Sequence, residues 1–298
     1  MAYGLKPRIG STSRSHGALR WAAVLGFAVG CLAALVVSAP ASWAGAMLDA
    51  ATGGRLALIH PTGTVWRGQA TLALGAGPGS RGQLALPQRL AWRISPTFST
   101  SGLPAFRLRF EQPAVLSQPI EWMLQPGWSA SSLSLRSHAD GSPVTVQFPA
   151  AFLAGLGAPW NTLQPSGRLV FQFDRLQWTA GYQAPPAIEI GLKIQMLNIA
   201  SRVATLPVLG HYELDVRGGP GELALKLDSR PGSALRLEGQ GRWRPGGRVE
   251  FRGEASASAG REEALSNLLN IIGRRDGPRS VMAIGAPSGA APPSARTP

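Results

Sequence analysis

The chain has one cysteine, four histidines and 16 Asp and Glu in 298 residues. A single Cys, Cys31, excludes an intramolecular disulfide framework and any multi-thiolate metal site. Four scattered His leave little room for metal or acid–base chemistry. Charged residues make up 15% of the chain, against roughly 25% in ordinary globular sequences. The signatures H-E-x-x-H, G-x-S-x-G, Walker A and G-x-G-x-x-G are all missing. What is abundant is Gly (37) and Pro (25). That excess disfavours helical bundles and coiled coils and favours many turns between short strands. The length suits one or two domains with a sizeable core.

The net charge is +13, yet Lys6, Lys193 and Lys226 are the only lysines among 29 basic residues. The arginines are spread singly along the segments read below as strands. Nucleic-acid binders cluster their charge, so no nucleic-acid partner is expected. Attraction to an anionic membrane surface fits better, because the chain carries its own anchor.

Trp21–Ala39 is a run of uncharged, mostly apolar residues, long enough to cross a hydrocarbon core of about 30 Å. Lys6, Arg8, Arg14 and Arg20 precede it without an acid, which places the N-terminus in the cytoplasm. Trp21 and Trp43 flank it where interfacial aromatics belong. Gly26 and Gly30 form a weak small-xxx-small pair. A cleavable signal is the rival, with Ser42-Trp43-Ala44 as its site, but the apolar run exceeds the usual h-region. The reading is an uncleaved signal anchor over 21–39 behind a basic arm, 1–20. Residues 41–285 then lie outside the cytoplasm, with no cysteine among them.

From residue 55 the dominant period is two, as in Leu56-Ala-Leu58, Phe106-Arg-Leu108-Arg-Phe110, Ile188-Glu-Ile190-Gly-Leu192 and Tyr212-Glu-Leu214-Asp-Val216. Such alternation sets one face of each strand in a core and the other in water. Turn signals recur between the runs and no helical crossover separates them. The expected fold is mainly β: an antiparallel sheet closed into a sandwich, an open barrel or a long curved sheet. A faint duplication relates Gly82–Trp92 to Gly167–Trp178, each read as a hairpin whose second strand carries an inward Trp. Near the C-terminus Leu265, Leu268, Leu269 and Ile272 make one apolar stripe, predicting an amphipathic helix over about 261–272 with Gly273 just past its end. Ser280–Gly285 reads as a last strand, and 286–298 as a low-complexity tail expected to be disordered.

His60, His138 and His211 fall near turns and read as ordinary solvated histidines. Glu213 and Asp215 share the wet face of a strand. Phe106 and Phe110, with Arg107 and Arg109 between and beside them, read as core face rather than base-stacking platform. No catalytic, cofactor or metal site emerges.

Three segments are more distinctive: Gly63-Thr64-Val65-Trp66-Arg67-Gly68, Leu156-Gly157-Ala158-Pro159-Trp160-Asn161-Thr162-Leu163, and Pro207-Val208-Leu209-Gly210-His211-Tyr212. With Leu268–Arg274 they make the chain similar to type II secretion system protein N (general secretion pathway protein N), from the anchor to about residue 285. The resemblance implies a single-pass accessory of the inner membrane in the machine that exports folded proteins across the outer membrane. It implies an exported β-rich domain like those of AsmA-like proteins, no catalytic residues, no cofactor, and other subunits of the inner-membrane platform as partners. The long N-terminal arm and Pro-rich tail depart from it. On physical grounds Trp66 is expected to be a buried aromatic over a tight hairpin corner, Pro159 to hold Ala158 extended, and Asn161 and Thr162 to hydrogen-bond turn backbone. Two rival functions are a lipid-binding or lipid-transfer module with an apolar groove, and a hydrolase with an unfamiliar site.

Overall fold

A computed structural model describes residues 15–75, 77, 84–136, 142–156, 160–181, 186–244, 247 and 249–285. The basic arm before residue 15, the 286–298 tail, Pro159 and His138 lie outside these.

The apolar run forms helix α1 (Ser15–Val37). Its Arg20–Val37 portion is long and apolar enough to cross a membrane, and none of its residues is buried. Pro40 breaks the helix and opens a second, α2 (Ala41–Thr52), which ends at Gly53 and which the hydrophobic pattern did not predict. Ala41 and Gly45 make up its buried face, with the Leu58 side chain close to where a Gly45 side chain would begin.

Among the described residues fifteen strands come after α2: β1 (Leu56–Gly63), β2 (Arg67–Leu74), β3 (Leu84–Phe98), β4 (Pro104–Glu111), β5 (Ile120–Gln125), β6 (Ala130–Arg136), β7 (Val144–Pro149), β8 (Pro165–Gly181), β9 (Ala187–Ser201), β10 (Gly210–Gly219), β11 (Glu222–Ser229), β12 (Leu235–Trp243), β13 (Val249–Ala257), β14 (Arg274–Asp276) and β15 (Arg279–Ile284). They form one antiparallel sheet in near-sequential order, from β1 at one end to β13-β15-β14 at the other. β6 and β7 share one edge of β8, β6 on its C-terminal half and β7 on its N-terminal half. The described strands make one open sheet, with β1 and β14 as its two edges.

The register joins the apolar face across the sheet. Trp92 pairs with Phe110, Leu124 with Leu133, Leu133 with Trp178, Leu192 with Val216, and Val216 with Leu225. Three clusters cover that face. At the β1 end α2 lays Ala41 and Ala44 on Ala70 and Trp92. In the middle Val115, Leu116 and Phe152 pack on Leu86, Ile120 and Phe148. At the far end the helix predicted near the C-terminus, Glu262–Ile272, buries Leu265, Leu268 and Leu269 against Leu209, Leu235 and Ala255. A single turn at Trp160–Leu163 is α3, so this last helix is α4. Its expected stripe is therefore real. Gly273, however, is extended rather than left-handed, and its lack of a side chain serves close packing: a Cβ there would sit 2.4 Å from the Val281 carbonyl.

The two hairpins of the expected duplication do not form. Gly82 falls outside the described residues, but Leu84–Trp92 lies within the single strand β3, and Gly167–Trp178 within the single strand β8.

Candidate functional site

The distinctive segments gather at two places. Gly63-Thr64-Val65-Trp66-Arg67-Gly68 turns from β1 into β2 and forms a collar on the end of α1. Gly63 has φ +90° and a Cβ there would meet the Arg67 carbonyl at 2.4 Å, so both conformation and space require glycine. Thr64 closes the turn: its N–H donates to the Arg67 carbonyl at 2.9 Å, and its Oγ1 accepts from the Arg67 N–H at 3.1 Å. The Val65 N–H donates to the Ala39 carbonyl at 2.8 Å, beside a Pro40–Thr64 bridge.

Trp66 is not the buried corner aromatic that the sequence suggested. It is half-buried, its ring tilts against Phe106 at 6.0 Å, and its Nε1 donates to the Val36 carbonyl at 2.7 Å. That carbonyl belongs to the last turn of α1, and it also accepts, at 3.4 Å, from the Ala39 N–H just past the helix. The buried indole is Trp92, 6% exposed, whose Nε1 donates to the Val65 carbonyl at 3.0 Å. Gly68 makes room for it, because a Cβ there would lie 2.4 Å from Trp92 Cζ2. The phase of β3 carried this signal: Trp92 keeps step with Leu84, Leu86 and Leu90, whereas Trp66 lies outside any strand. A groove of about 660 Å³ opens on the polar side of the collar, lined by Arg67, Arg93, Arg109 and Glu111 among others.

The other two segments meet at the opposite end of the strands. In α3, Leu163 packs on the α4 cluster and its carbonyl accepts from Ser201 Oγ at 2.6 Å. Asn161 and Thr162 are exposed. Between the two side chains runs a long bond, Thr162 Oγ1 to Asn161 Oδ1 at 3.4 Å; the turn backbone that they were expected to bond, at residues 157–159, lies outside the described residues. Gly210 passes so close to Ser233 that a Cβ would sit 2.4 Å from the Ser233 Cβ. Tyr212 is buried, donates its hydroxyl to the Leu235 carbonyl at 3.0 Å, and has its phenol pKa pushed well up by burial. His211 is less solvated than expected: it is half-buried and its Nδ1 accepts from the Asn198 N–H at 3.1 Å. Both groups are therefore fold-holding contacts, one at the end of α1 and one under α4.

Chemistry-bearing side chains do not converge. Among the described residues no group of three or more His, Cys, Asp or Glu could hold a metal ion. His60 is exposed on β1 and His211 lies on β10, at the other side of the sheet. Glu213 accepts from Lys193 at 2.7 Å and from Arg230 at 2.9 Å, and these bonds, Lys193 first, hold its carboxyl below the usual range. The Lys193 bond likewise holds that ammonium above its own ordinary value. Asp215 pairs with Arg217, so the two carboxylates are the wet face of β10.

The apolar face carries one further feature that no local pattern announced. A cavity of about 360 Å³ lies between Leu86, Leu90, Trp122, Leu133 and Phe148, walled almost wholly by carbon. Gln112 lines it, 3% exposed. Its Nε2 donates to the Gln88 carbonyl at 3.0 Å, while its Oε1 is buried with no partner among the described residues.

Sheet and helices thus define a single-sheet antiparallel protein carried on an apolar N-terminal helix. Comparison with known families supplies the rest: residues 54–282 match type II secretion system (T2SS), protein N, and the chain belongs to that family. It is accordingly a component of type II secretion. No curated protein and no solved structure matches it.

Proposed function

We propose that the protein is a non-enzymatic scaffold of the secretion machine, held in the inner membrane by α1 with its N-terminus in the cytoplasm and its sheet in the periplasm. The collar carries this reading. The end of an exposed apolar helix is tied to the sheet through Trp66–Val36, Val65–Ala39 and the Pro40–Thr64 bridge. The same contacts favour an uncleaved anchor, since removal of residues up to Ala44 would strip buried Ala41 from Ala70 and Trp92. Its partners are other subunits of the inner-membrane platform, met through α1 and the sheet. A phosphatase reporter joined after Gly285 should be active in the periplasm and one joined at Arg14 inactive. Crosslinks from 21–39 in living cells should recover secretion subunits, and exporting residues 41–298 alone should fail to support secretion, because the anchor sets the local concentration. Full secretion by the unanchored chain would refute the reading.

A second reading, binding of a lipid on an AsmA-like apolar face, is favoured by the 360 Å³ cavity and the unpartnered Gln112 Oε1. An apolar pocket of this size is near the lower end of the roughly 300–1,000 Å³ range of ligand sites. Lipid in an organic extract of the pure protein, lost on Leu90→Trp, would support it; equal lipid in parent and variant would not.

A further inference from the structure

The strand ends nearest α1 are unlike the rest of the surface. The β3–β4 hairpin runs past the collar: β2 pairs with β3 only as far as Arg93, the Ile94 N–H donates to the Trp66 carbonyl at 2.7 Å, and the remainder of β3, Ser95–Phe98, pairs with β4. From Ile94 to Phe106 the sequence carries no charge. At its tip Phe98 is 74% and Leu103 60% exposed, although the turn itself is well ordered by hydrogen bonds. Buried Ser99 donates its N–H to the Leu103 carbonyl at 2.8 Å and accepts the Leu103 N–H on Oγ at 3.1 Å. The neighbouring β5–β6 turn, two strands and thus about 10 Å further along, presents Trp128 fully to solvent.

Behind the uncharged tip stand arginines. Arg67 faces Arg93, Arg93 faces Arg109, and Arg107 faces Ser95. At about 3.3 Å per residue these levels lie about 10 Å (Arg107) and about 16 Å (Arg93, Arg109) behind Phe98. Arg109 is bonded to Glu111 at 2.9 Å, but Arg67, Arg93 and Arg107 have no carboxylate partner among the described residues. Like charges directly opposite on a ladder are destabilising, and an anion between them relieves this.

We infer that this hairpin end is a second membrane contact: the β3–β4 tip, with Trp128 beside it, enters the lipid interface next to α1, and the arginine row meets phospholipid phosphates. The inference rests on the reading of α1 as a membrane span. The occupant is a lipid surface because the tip projects beside the last turn of that helix, through Val36, Trp66 and Phe106. Apolar groups buried about 5–10 Å into the interface, with arginines reaching back to the headgroups, are how surface-lying segments bind membranes. Solvent-exposed apolar tips of this kind otherwise stand in water at a free-energy cost.

The native thiol makes the test internal. The full chain, labelled with an environment-sensitive fluorophore, is placed in vesicles of phosphatidylethanolamine and phosphatidylglycerol containing lipid with a shallow or a deep nitroxide quencher. In a Cys31→Ser background, Leu103→Cys and Trp128→Cys report the tips. Val208→Cys and Ile271→Cys, also exposed but at the other end of the strands, are controls. Label on native Cys31 reports the span. Shallow quenching at 103 and 128 should exceed that at 208 and 271 at least twofold, and Arg67→Gln/Arg93→Gln/Arg107→Gln should reduce it. Quenching at 103 no greater than at 208, with Cys31 deeply quenched, overturns the inference and leaves the anchor intact. Absence of quenching at Cys31 overturns the anchor and the inference together.

Discussion

Trp92→Ala should be among the most damaging single changes at the collar, and its effect can be worked out from its neighbours. The indole is almost wholly buried between α2 and the sheet, touching the cluster of Ala41 and Ala70. Truncation removes its buried area, opens a cavity and strands the Val65 carbonyl, together about 3–5 kcal/mol. For a domain of this size that lowers Tm by roughly 10 °C. Trp66→Phe removes one hydrogen bond from a half-buried ring, about 1 kcal/mol and a few degrees. Gly68→Ala drives a Cβ toward Trp92 Cζ2 and should cost about 1–3 kcal/mol alone. In the Trp92→Ala background the indole is gone, although the Thr62 carbonyl, at 2.9 Å, still resists. The two changes should therefore be less than additive, by about 1 kcal/mol or more. Thermal unfolding of the full chain in detergent, followed by near-ultraviolet circular dichroism, measures all four. Equal losses from Trp92→Ala and Trp66→Phe, or strict additivity with Gly68→Ala, would refute the assignment of the buried indole.

Two further tests probe the far end of the strands and the polar face. Tyr212→Phe leaves the packing but orphans the Leu235 carbonyl, so stability should fall by about 1–2 kcal/mol, and a variant indistinguishable from the parent in chemical denaturation would contradict the bond. Glu213 has a folded-state pKa below its unfolded one, so its contribution is present above the ordinary glutamate value of about 4.3 and is lost as pH falls beneath it. Glu213→Gln should cost about 1 kcal/mol at pH 7, and progressively less as pH falls below the ordinary glutamate range and the folded carboxyl takes up its proton; a gap in Tm that persists undiminished in acid speaks against the Lys193–Glu213–Arg230 network.

Much of the sheet was legible because period-two alternation is a direct consequence of one buried face. The α4 stripe was legible for the same reason at period 3.6. The misreadings have specific causes. β3 contains Pro87 and Pro96, which look like turn residues. Pro87 lies where the β2 register slips between Thr71 and Ala73, and Pro96 lies beyond the end of β2, so neither needs to donate to that neighbour. In β8 the apolar phase moves from Leu169, Phe171 and Phe173 to Leu176 and Trp178. A break in phase suggests two strands, but a bulge between Phe173 and Arg175 resets the face within one. Helix α2 escaped notice because its buried residues are Ala and Gly, too small to give a periodic signal. The unpartnered Gln112 and the apolar cavity depend on which strands lie side by side, which no local pattern encodes.

The order of the strands bears on what such a protein can do. Thirteen steps between neighbours separate β1 from β14, and at about 4.8 Å each the ladder measures roughly 60 Å along its hydrogen bonds. One end is fixed to α1 by the collar; the other ends in β14, a strand of three residues carrying Arg274 and Arg275. A short, charged edge strand discourages indiscriminate pairing, so contacts made there depend on side chains rather than on a bare backbone edge. Between the two ends the apolar face is held by α2, the Val115–Leu116 segment and α4, each closing a different stretch. Loss of any one of them should free its own stretch of ladder while the others stay packed. Substitutions in the α4 cluster should then impair contacts at the β14 end without releasing the collar from α1, and substitutions in the collar should do the reverse. That separability is what a tether with two working ends requires, and a catalytic cleft, in which one misplaced group abolishes everything, would not show it.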